Sequence, residues 1–158
     1  MSSADQIEIR SATPADRDFV LGLVPRLRAF GPPPLRPPEA LDEAEVRALS
    51  RAFAALPDGA VLFVAEHPRH GALGVAYAET ATDYFTQEKH GHLAILMVAE
   101  AGEGKGAGRA LLTAVESWSA RQGHRFITLN VFAGNSRART VYERAGYTQD
   151  TIRYLKEL

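Results

Sequence analysis

The sequence predicts an α/β domain with a mixed sheet and helices on both faces. Two apolar runs, residues 60–67 and 72–80, are joined by a short turn, which is typical of an antiparallel hairpin. Further along, a buried strand, a long amphipathic helix and another strand follow one another between residues 92 and 132, and this order implies a right-handed parallel crossover. Antiparallel and parallel pairing in one chain together predict the mixed sheet.

Length, composition and charge bound the class of protein. The 158 residues, 46% of them hydrophobic and 23% charged, fit a single globular domain over 1–158. The formal net charge of −1 gives no overall field that would recruit nucleic acid or an anionic membrane. Cysteine is absent, which excludes a disulfide scaffold and cysteine-ligated metals. With neither a secretory signal nor a long apolar run in the sequence, we expect a cytoplasmic protein without membrane or nucleic-acid partners.

The N-terminal half predicts one strand and two helices before the hairpin. Residues 6–10 alternate between polar and apolar side chains, as a half-buried strand does. Pro14 stands at the first position of a helix that Pro25 should kink, because proline removes a backbone donor. The prolines of residues 30–39 exclude regular structure there, and a second helix should follow and end near Pro57.

The C-terminal half predicts the buried part of the sheet. Residues 92–98 are apolar on both faces after the first position, which indicates a central strand. A helix should start near Gly104 and lead to a strand at residues 126–132. A short helix capped by Asn135 follows, and residues 147–158 should supply a final pair of strands.

The sequence EGKGAGRALL, residues 103–112, places three glycines at alternate positions before the long helix. A helix N-terminus exposes unpaired N–H groups and a partial positive charge, and glycines let a phosphate approach the backbone closely. Lys105 and Arg109 would add positive charge. A tight connection between a strand and a helix uses glycines as well, so this pattern alone leaves anion binding and a purely structural turn open.

Two phosphate-binding motifs can be tested against the glycines. The P-loop spacing does not occur. Gly102, Gly104 and Ala107 formally satisfy the G-x-G-x-x-G/A dinucleotide pattern, but the acidic residue expected about 20 positions later is missing. A dinucleotide-dependent oxidoreductase is therefore a weakly supported alternative.

A second segment supplies the stronger indication of function. LMVAEAGEGKGAGRALL and LNVFAGNSRARTVYERAGY together resemble the GNAT superfamily of acyl-CoA-dependent N-acyltransferases. The first is similar to the family's strand, R/Q-x-x-G-x-G/A loop and helix, and the second to its N-x-x-A-x-x-x-Y-E-x-x-G-F/Y helix. The resemblance covers nearly the whole chain. It implies a GNAT-like, mostly antiparallel mixed sheet, a V-shaped splay between two central parallel strands, and about four helices on both faces.

The resemblance also implies the reaction and its site. Acetyl-CoA would be the co-substrate, without a metal, and acetyl would pass directly to a primary amine of a small molecule or protein in a ternary complex. Tyr142 would donate a proton to the departing thiolate, and a backbone N–H at or beside Val98 would polarise the thioester. The coenzyme-binding residues that the resemblance implies are Leu96, Met97, Val98, Glu103, Gly104, Lys105, Gly106, Ala107, Gly108, Arg109, Asn130, Asn135 and Tyr142.

At two places the chain departs from the family pattern. Glu103 stands where the family has Arg or Gln, so an acid lies beside the expected diphosphate and should turn towards solvent. Ala94 and Ile95 stand where many members carry an acidic general base. An alkylammonium has a pKa of ~10.4, so its proton must be removed by another group.

Candidate replacements for that base lie on the same strand, on the hairpin before it and in the loop that joins them. His92, placed by alternation on the pleat of Ala94 and Leu96, has a suitable pKa of ~6.5, and Glu79 is the second candidate. His90 and Tyr84 are further candidates. An acceptor amine that is already neutral would need no base.

The sequence leaves the acceptor and the assembly open. Loss of the acid favours one further alternative, a non-catalytic acyl-CoA-binding module. The acceptor pocket would lie between residues 30–39 and 82–91. Members of the family often dimerise through C-terminal strands, so a homodimer is possible.

Overall fold

A computed structural model describes residues 6–158 of the chain. Within that range five strands and four helices follow one another. In order they are β1 (Glu8–Ser11), α1 (Arg17–Gly22), α2 (Pro38–Ala54), β2 (Ala60–His67), β3 (Gly71–Thr82), β4 (Lys89–Val98), α3 (Ala107–Arg121), β5 (Ile127–Leu129) and α4 (Ser136–Arg144). The strands lie in the sheet in chain order, and all neighbours are antiparallel except β4 and β5, which are parallel. The predicted mixed, mostly antiparallel sheet is confirmed.

Each face of the sheet carries its own hydrophobic core. One core joins the apolar face of α3, including Leu111 and Trp118, to small and branched residues of β2, β3 and β4. The other joins Val20 of α1 and Leu49 of α2 to Val75 and Met97 on the opposite face. Helices therefore cover both faces, as the sequence predicted.

Three elements differ from the sequence prediction. The first helix is not merely kinked at Pro25: α1 ends at Gly22 and a 3₁₀ turn, Val24–Arg28, takes over, because proline cannot donate to the helical ladder. The strand expected over residues 126–132 is only three residues long. The expected C-terminal strand pair is wrong, since residues 147–158 form no regular structure and largely face solvent.

Strands β4 and β5 pair at one end and separate at the other. Their register joins Gly91 to Ile127, His92 to Thr128 and Leu93 to Leu129, and it stops there. Strand β4 continues to Val98 paired with β3 alone. We call the opening between β4 after Leu93 and the chain after Leu129 the gap. It is the predicted V-shaped splay.

A β-bulge at Ala94 sets which groups of β4 face the gap. Tyr77 pairs with Ile95 while the next residue of β3 pairs with Leu93, so Ala94 is the extra residue. One inserted residue reverses the alternation of a strand. The prediction that His92 shares a pleat with Ala94 and Leu96 is therefore wrong. His92 lies opposite Glu79, on the face of Tyr77 and of helices α1 and α2.

Candidate active site

The glycine turn, residues 103–109, presents backbone donors without acceptors. Gly104 and Gly106 have φ of +69° and +84°, a left-handed conformation that favours glycine. Gly106 is the N-cap of α3 and makes no side-chain capping bond. Within residues 6–158 no acceptor binds the N–H groups of Gly104, Gly106, Ala107, Gly108 or Arg109. The turn is thus an open set of donors at the positive end of a helix dipole.

Main-chain groups of β4 lead into this turn along the gap. The N–H of Ala99 donates to the carbonyl of Leu73 on the β3 side, at 2.8 Å. Because main-chain groups alternate along a strand, those of Met97 also point towards β3 and those of Leu96 and Val98 point into the gap. Of the three residues expected beside the arm, Leu96 offers main-chain partners and Val98 offers its N–H, since the Val98 carbonyl accepts from Arg26 Nε. The main-chain groups of Met97 are used by the sheet.

The side chain of Glu103 does not turn into solvent as expected. One guanidinium nitrogen of Arg26 contacts Glu103 Oε1, and Arg137 Nη2 lies 3.4 Å from Glu103 Oε2. Arg26 Nε also donates to the carbonyl of Val98 at 2.7 Å. The acid beside the glycine turn is therefore neutralised by cations from other elements.

Tyr142 stands on the α3 side of the gap. Its ring packs against the same core as Leu96, Val98 and Leu129, and lies edge to face with Tyr147 at a centroid distance of 5.8 Å. Burial raises the pKa of Tyr142, so the phenol stays protonated at neutral pH. Its hydroxyl has no hydrogen-bond partner in the part of the chain that the structure describes, and it is free to donate.

The two asparagines differ in their surroundings. Asn135 Oδ1 accepts from the N–H of Ala138 at 3.1 Å and caps α4, which leaves the side-chain amide donors for another partner. Asn130 follows β5 directly and is exposed at the open side of the gap. The structure thus confirms the capping role of Asn135.

His92 and Glu79 form a polar group on the opposite face of the sheet. His92 Nδ1 lies 2.9 Å from Thr128 Oγ1, and Glu79 Oε2 accepts from the Tyr77 hydroxyl at 3.3 Å. Burial lowers the pKa of His92, and the nearby Glu79 carboxylate partly opposes that shift. His92 is therefore neutral at pH 7. If Nδ1–H donates to Thr128, then Nε2 is left with a lone pair that can accept a proton.

The two loops that were expected to border the acceptor pocket, residues 30–39 and 82–91, lie in different surroundings. Residues 30–39 approach the start of α4 so closely that a Cβ on Gly31 would lie 2.2 Å from the carbonyl carbon of Gly134. Tyr84 and Phe85, at the tip between β3 and β4, are 84% and 83% exposed. The first loop therefore borders the gap, whereas these two aromatic rings contact each other in solvent.

Sequence reasoning did not predict three residues of this site, Arg26, Tyr77 and Thr128, nor the contact that Arg137 makes with Glu103. Arg26 and Arg137 meet Glu103 only because three distant segments converge, and no short motif records such a contact. Thr128 and Tyr77 could have been found by pairing the predicted strands. The reversal of register at Ala94 would still have misplaced their faces.

Within the described residues 6–158, no three histidine, aspartate or glutamate side chains are grouped so that they could hold a metal ion. No helix in that same range is long and apolar enough to cross a membrane.

Comparison with known proteins places the chain in a family. The model of the acetyltransferase (GNAT) family matches residues 28–147. No curated protein sequence matches the chain significantly. A solved structure from Pyrococcus furiosus has a TM-score of 0.76 and 22% identity, and the match covers 97% of this chain and 100% of that one.

Two further structures carry the names of acetyltransferases. AAC(6')-Iy, solved with the bisubstrate analog CoA-S-monomethyl-acetylneamine, has a TM-score of 0.71 and 22% identity over 97% of this chain and 99% of that one. Glucosamine-6-phosphate N-acetyltransferase from Arabidopsis thaliana has a TM-score of 0.66 and 18% identity over 96% and 98%. At these identities the likeness is one of fold. With the family model matching most of its length, the chain belongs to the GNAT acetyltransferase family.

Proposed function

We propose that this protein is an N-acetyltransferase that moves acetyl from acetyl-CoA to a primary amine by direct transfer. The observation that carries the proposal is the gap between β4 and β5, which opens directly before the unpaired amides of the glycine turn. Membership of the GNAT acetyltransferase family supports acetyl transfer as the chemistry. The antiparallel order of β1 to β4 argues against the parallel sheet that a dinucleotide-binding domain uses.

Both main-chain and side-chain groups of the gap bind the coenzyme. Amides of residues 104–109 hold the diphosphate, and Lys105 and Arg109 add charge. Main-chain groups of Leu96 pair with the amide-bearing arm, since a separated strand needs partners for its N–H and C=O groups. Donors on Asn135 and Asn130 lie on the other wall. The Val98 N–H polarises the thioester carbonyl as acyl transfer proceeds.

Acid and base stand on opposite faces of the sheet. Tyr142, on the α3 face, keeps its proton and gives it to the departing thiolate. His92, on the face of α1 and α2, accepts a proton from the amine, and Thr128 holds its ring. Glu79 next to His92 stabilises the imidazolium that results. The amine therefore approaches from the α1 and α2 face, and the thiol leaves towards Tyr142.

A primary amine is the acceptor that suits this arrangement. Two structural relatives indicate which amines to test first. Two structural relatives are named for acetylation of amino sugars or a related aminoglycoside. Small amino-bearing molecules are thus the first acceptors to test, followed by peptide amines.

The test measures thiol release from acetyl-CoA against a panel of primary amines, together with coenzyme A binding by calorimetry. We expect binding, and turnover with at least one amine. Binding without turnover across the panel would favour the non-catalytic acyl-CoA-binding module. Tight NAD binding without coenzyme A binding would overturn the proposal in favour of an oxidoreductase.

A further inference from the structure

Two arginines from distant segments meet at Glu103. Arg26 comes from the 3₁₀ turn after α1, and Arg137 from the first turn of α4. They contact different oxygens of the same carboxylate. Two positive groups around one negative group leave the cluster with a net positive charge beside the glycine turn.

The contact between Arg137 and Glu103 crosses the open end of the gap. Glu103 belongs to the connection that follows β4, and Arg137 to the helix that follows β5. The two strands stop pairing after Leu93 and Leu129. The Arg137–Glu103 ion pair therefore connects the two sides of the gap well beyond these last paired residues. The ion pair therefore lies beside the glycine turn, where the phosphates of a coenzyme would be bound.

The side chain of Arg26 is held more firmly than that of Arg137. Arg26 binds both Glu103 and the Val98 carbonyl, and its side chain is 29% exposed. Arg137 reaches Glu103 through one nitrogen at 3.4 Å, its side chain is 54% exposed, and its guanidinium lies 4.8 Å from the centre of the Phe30 ring. Arg26 alone can neutralise Glu103. Arg137 can therefore exchange its carboxylate partner for a phosphate without leaving the acid unpaired.

We propose that the Arg137–Glu103 ion pair is a bolt across the gap that an anionic coenzyme opens more readily than a ligand without phosphates, with Arg137 moving from Glu103 to a phosphate of the ligand. This inference rests on the proposed function. A phosphate replaces the carboxylate as the charged partner of Arg137, whereas a thioester without phosphates offers no replacement. The bolt thus selects thioesters that carry the nucleotide diphosphate over shorter ones. Glu103, a departure from the family pattern, is a positioning residue in this arrangement.

Coenzyme A binding by calorimetry tests the bolt in single and double variants. Arg137→Gln removes a phosphate partner, and we expect the Kd to rise about tenfold, as for a lost charged hydrogen bond. Glu103→Gln frees Arg137, and we expect the Kd to fall about twofold to fivefold, the range of exposed ion pairs. In the Arg137→Gln background, Glu103→Gln should change the Kd little. The control is Arg144→Gln, which removes the same charge at the far end of α4 and should leave the Kd unchanged.

The double variant separates the bolt from simple repulsion. If Glu103 only repels the diphosphate, then Glu103→Gln tightens binding as much or more when Arg137 is absent, and the bolt is overturned. Turnover of S-acetyl-pantetheine, which has no phosphate, gives a second criterion. Arg137→Gln should raise its kcat/KM about twofold to fivefold while lowering that of acetyl-CoA. A fall for both thioesters would overturn the bolt while leaving the acetyltransferase intact, whereas wild-type protein that binds no coenzyme A would overturn both.

Discussion

Tyr142 and Tyr147 lie edge to face, yet their hydroxyl groups have different surroundings. The Tyr147 hydroxyl is buried without a hydrogen-bond partner in the described chain, and burial and the Glu116 carboxylate raise its pKa. Of the two, Tyr142 occupies the motif position to which the family resemblance assigns the general acid. The pair therefore offers a matched comparison of the same chemical change at adjacent rings.

We expect Tyr142→Phe to lower kcat about a hundredfold, because a positioned general acid contributes on this scale. The KM for acetyl-CoA should change little, since the ring and its packing are retained. Steady-state kinetics with the best amine measures both constants. Tyr147→Phe serves as control and should retain kcat, and an unchanged kcat in Tyr142→Phe would exclude the tyrosine as the acid.

His92 should control the acidic limb of the pH–rate profile. Its pKa in the folded protein lies below 6.5, so kcat/KM should be constant near pH 7 and fall below that pKa as the imidazole becomes protonated. His92→Asn should abolish this limb and lower kcat, and Thr128→Val should weaken it by releasing the ring. If His92→Asn keeps the wild-type profile, Glu79 or a neutral amine substrate becomes the better explanation.

At the scale of single residues, the sequence predicted the glycine turn and the position of Tyr142 better than the side-chain contacts around them. Tyr142 and the glycine turn follow from local spacing, which a motif preserves. The expectation that Glu103 faces solvent was wrong, because Arg26 and Arg137 reach it from other segments. Side-chain contacts over such separations depend on tertiary packing that no local pattern contains.

At the scale of elements, neighbouring glycines of the turn have opposite roles in stability. Gly106 has φ +84°, where a side chain is strained, whereas Gly108 lies in the first turn of α3 with only Val98 Cγ2, at 3.4 Å, near a Cβ. Helix interiors favour alanine over glycine by about 0.5–1 kcal/mol, and a left-handed residue costs about 1–2 kcal/mol.

We therefore expect Gly108→Ala to raise the Tm by about 2–4 °C and Gly106→Ala to lower it by about 2–8 °C. Thermal unfolding followed by circular dichroism compares the two variants directly. Equal losses of Tm would mean that the start of α3 is not as described.

Helices and strands were predicted well where the periodicity of apolar side chains was strong. They were predicted poorly where pairing between strands determined the structure. Strands β2 to β4 and helices α2 and α3 follow from apolar spacing. The bulge at Ala94 has no sequence signature, and it reversed the face on which His92 was expected. The apolar residues of 147–158 have strand-like composition but no neighbour in the sheet of this chain.

At the scale of the whole molecule, one ion-pair network ties the first strand to the rest of the fold. Arg10 on β1 contacts Asp16 at 2.8 Å and Glu66 on β2 at 2.6 Å, and Asp16 is buried. Hydrogen bonds from Arg10 lower the pKa of Asp16 below its usual value of 3.8. The stability that this carboxylate contributes is present above pH ~4 and is lost as the pH falls through its lower folded pKa.

Arg10→Gln should lower the Tm by about 3–8 °C at pH 7, because it leaves a buried carboxylate without its charged partner. The difference from wild type should shrink as the pH falls below 3.8 and through the lowered pKa of Asp16, because the carboxylate then becomes protonated. Arg125→Gln, which breaks an exposed pair with Glu88, should change the Tm little. Thermal unfolding at pH 7 and down through that range decides the matter, and a loss that stays equal throughout would contradict the assigned role.

The order of the strands also determines at what point during translation the candidate site can form. Strands β1 to β4 are successive antiparallel neighbours, so each can dock as the ribosome releases it. Strand β5 adds only three paired residues and must wait for the whole of α3. A nascent polypeptide released before residue 127 would contain strands β1 to β4 but no second wall for the gap, so the candidate site would be completed last.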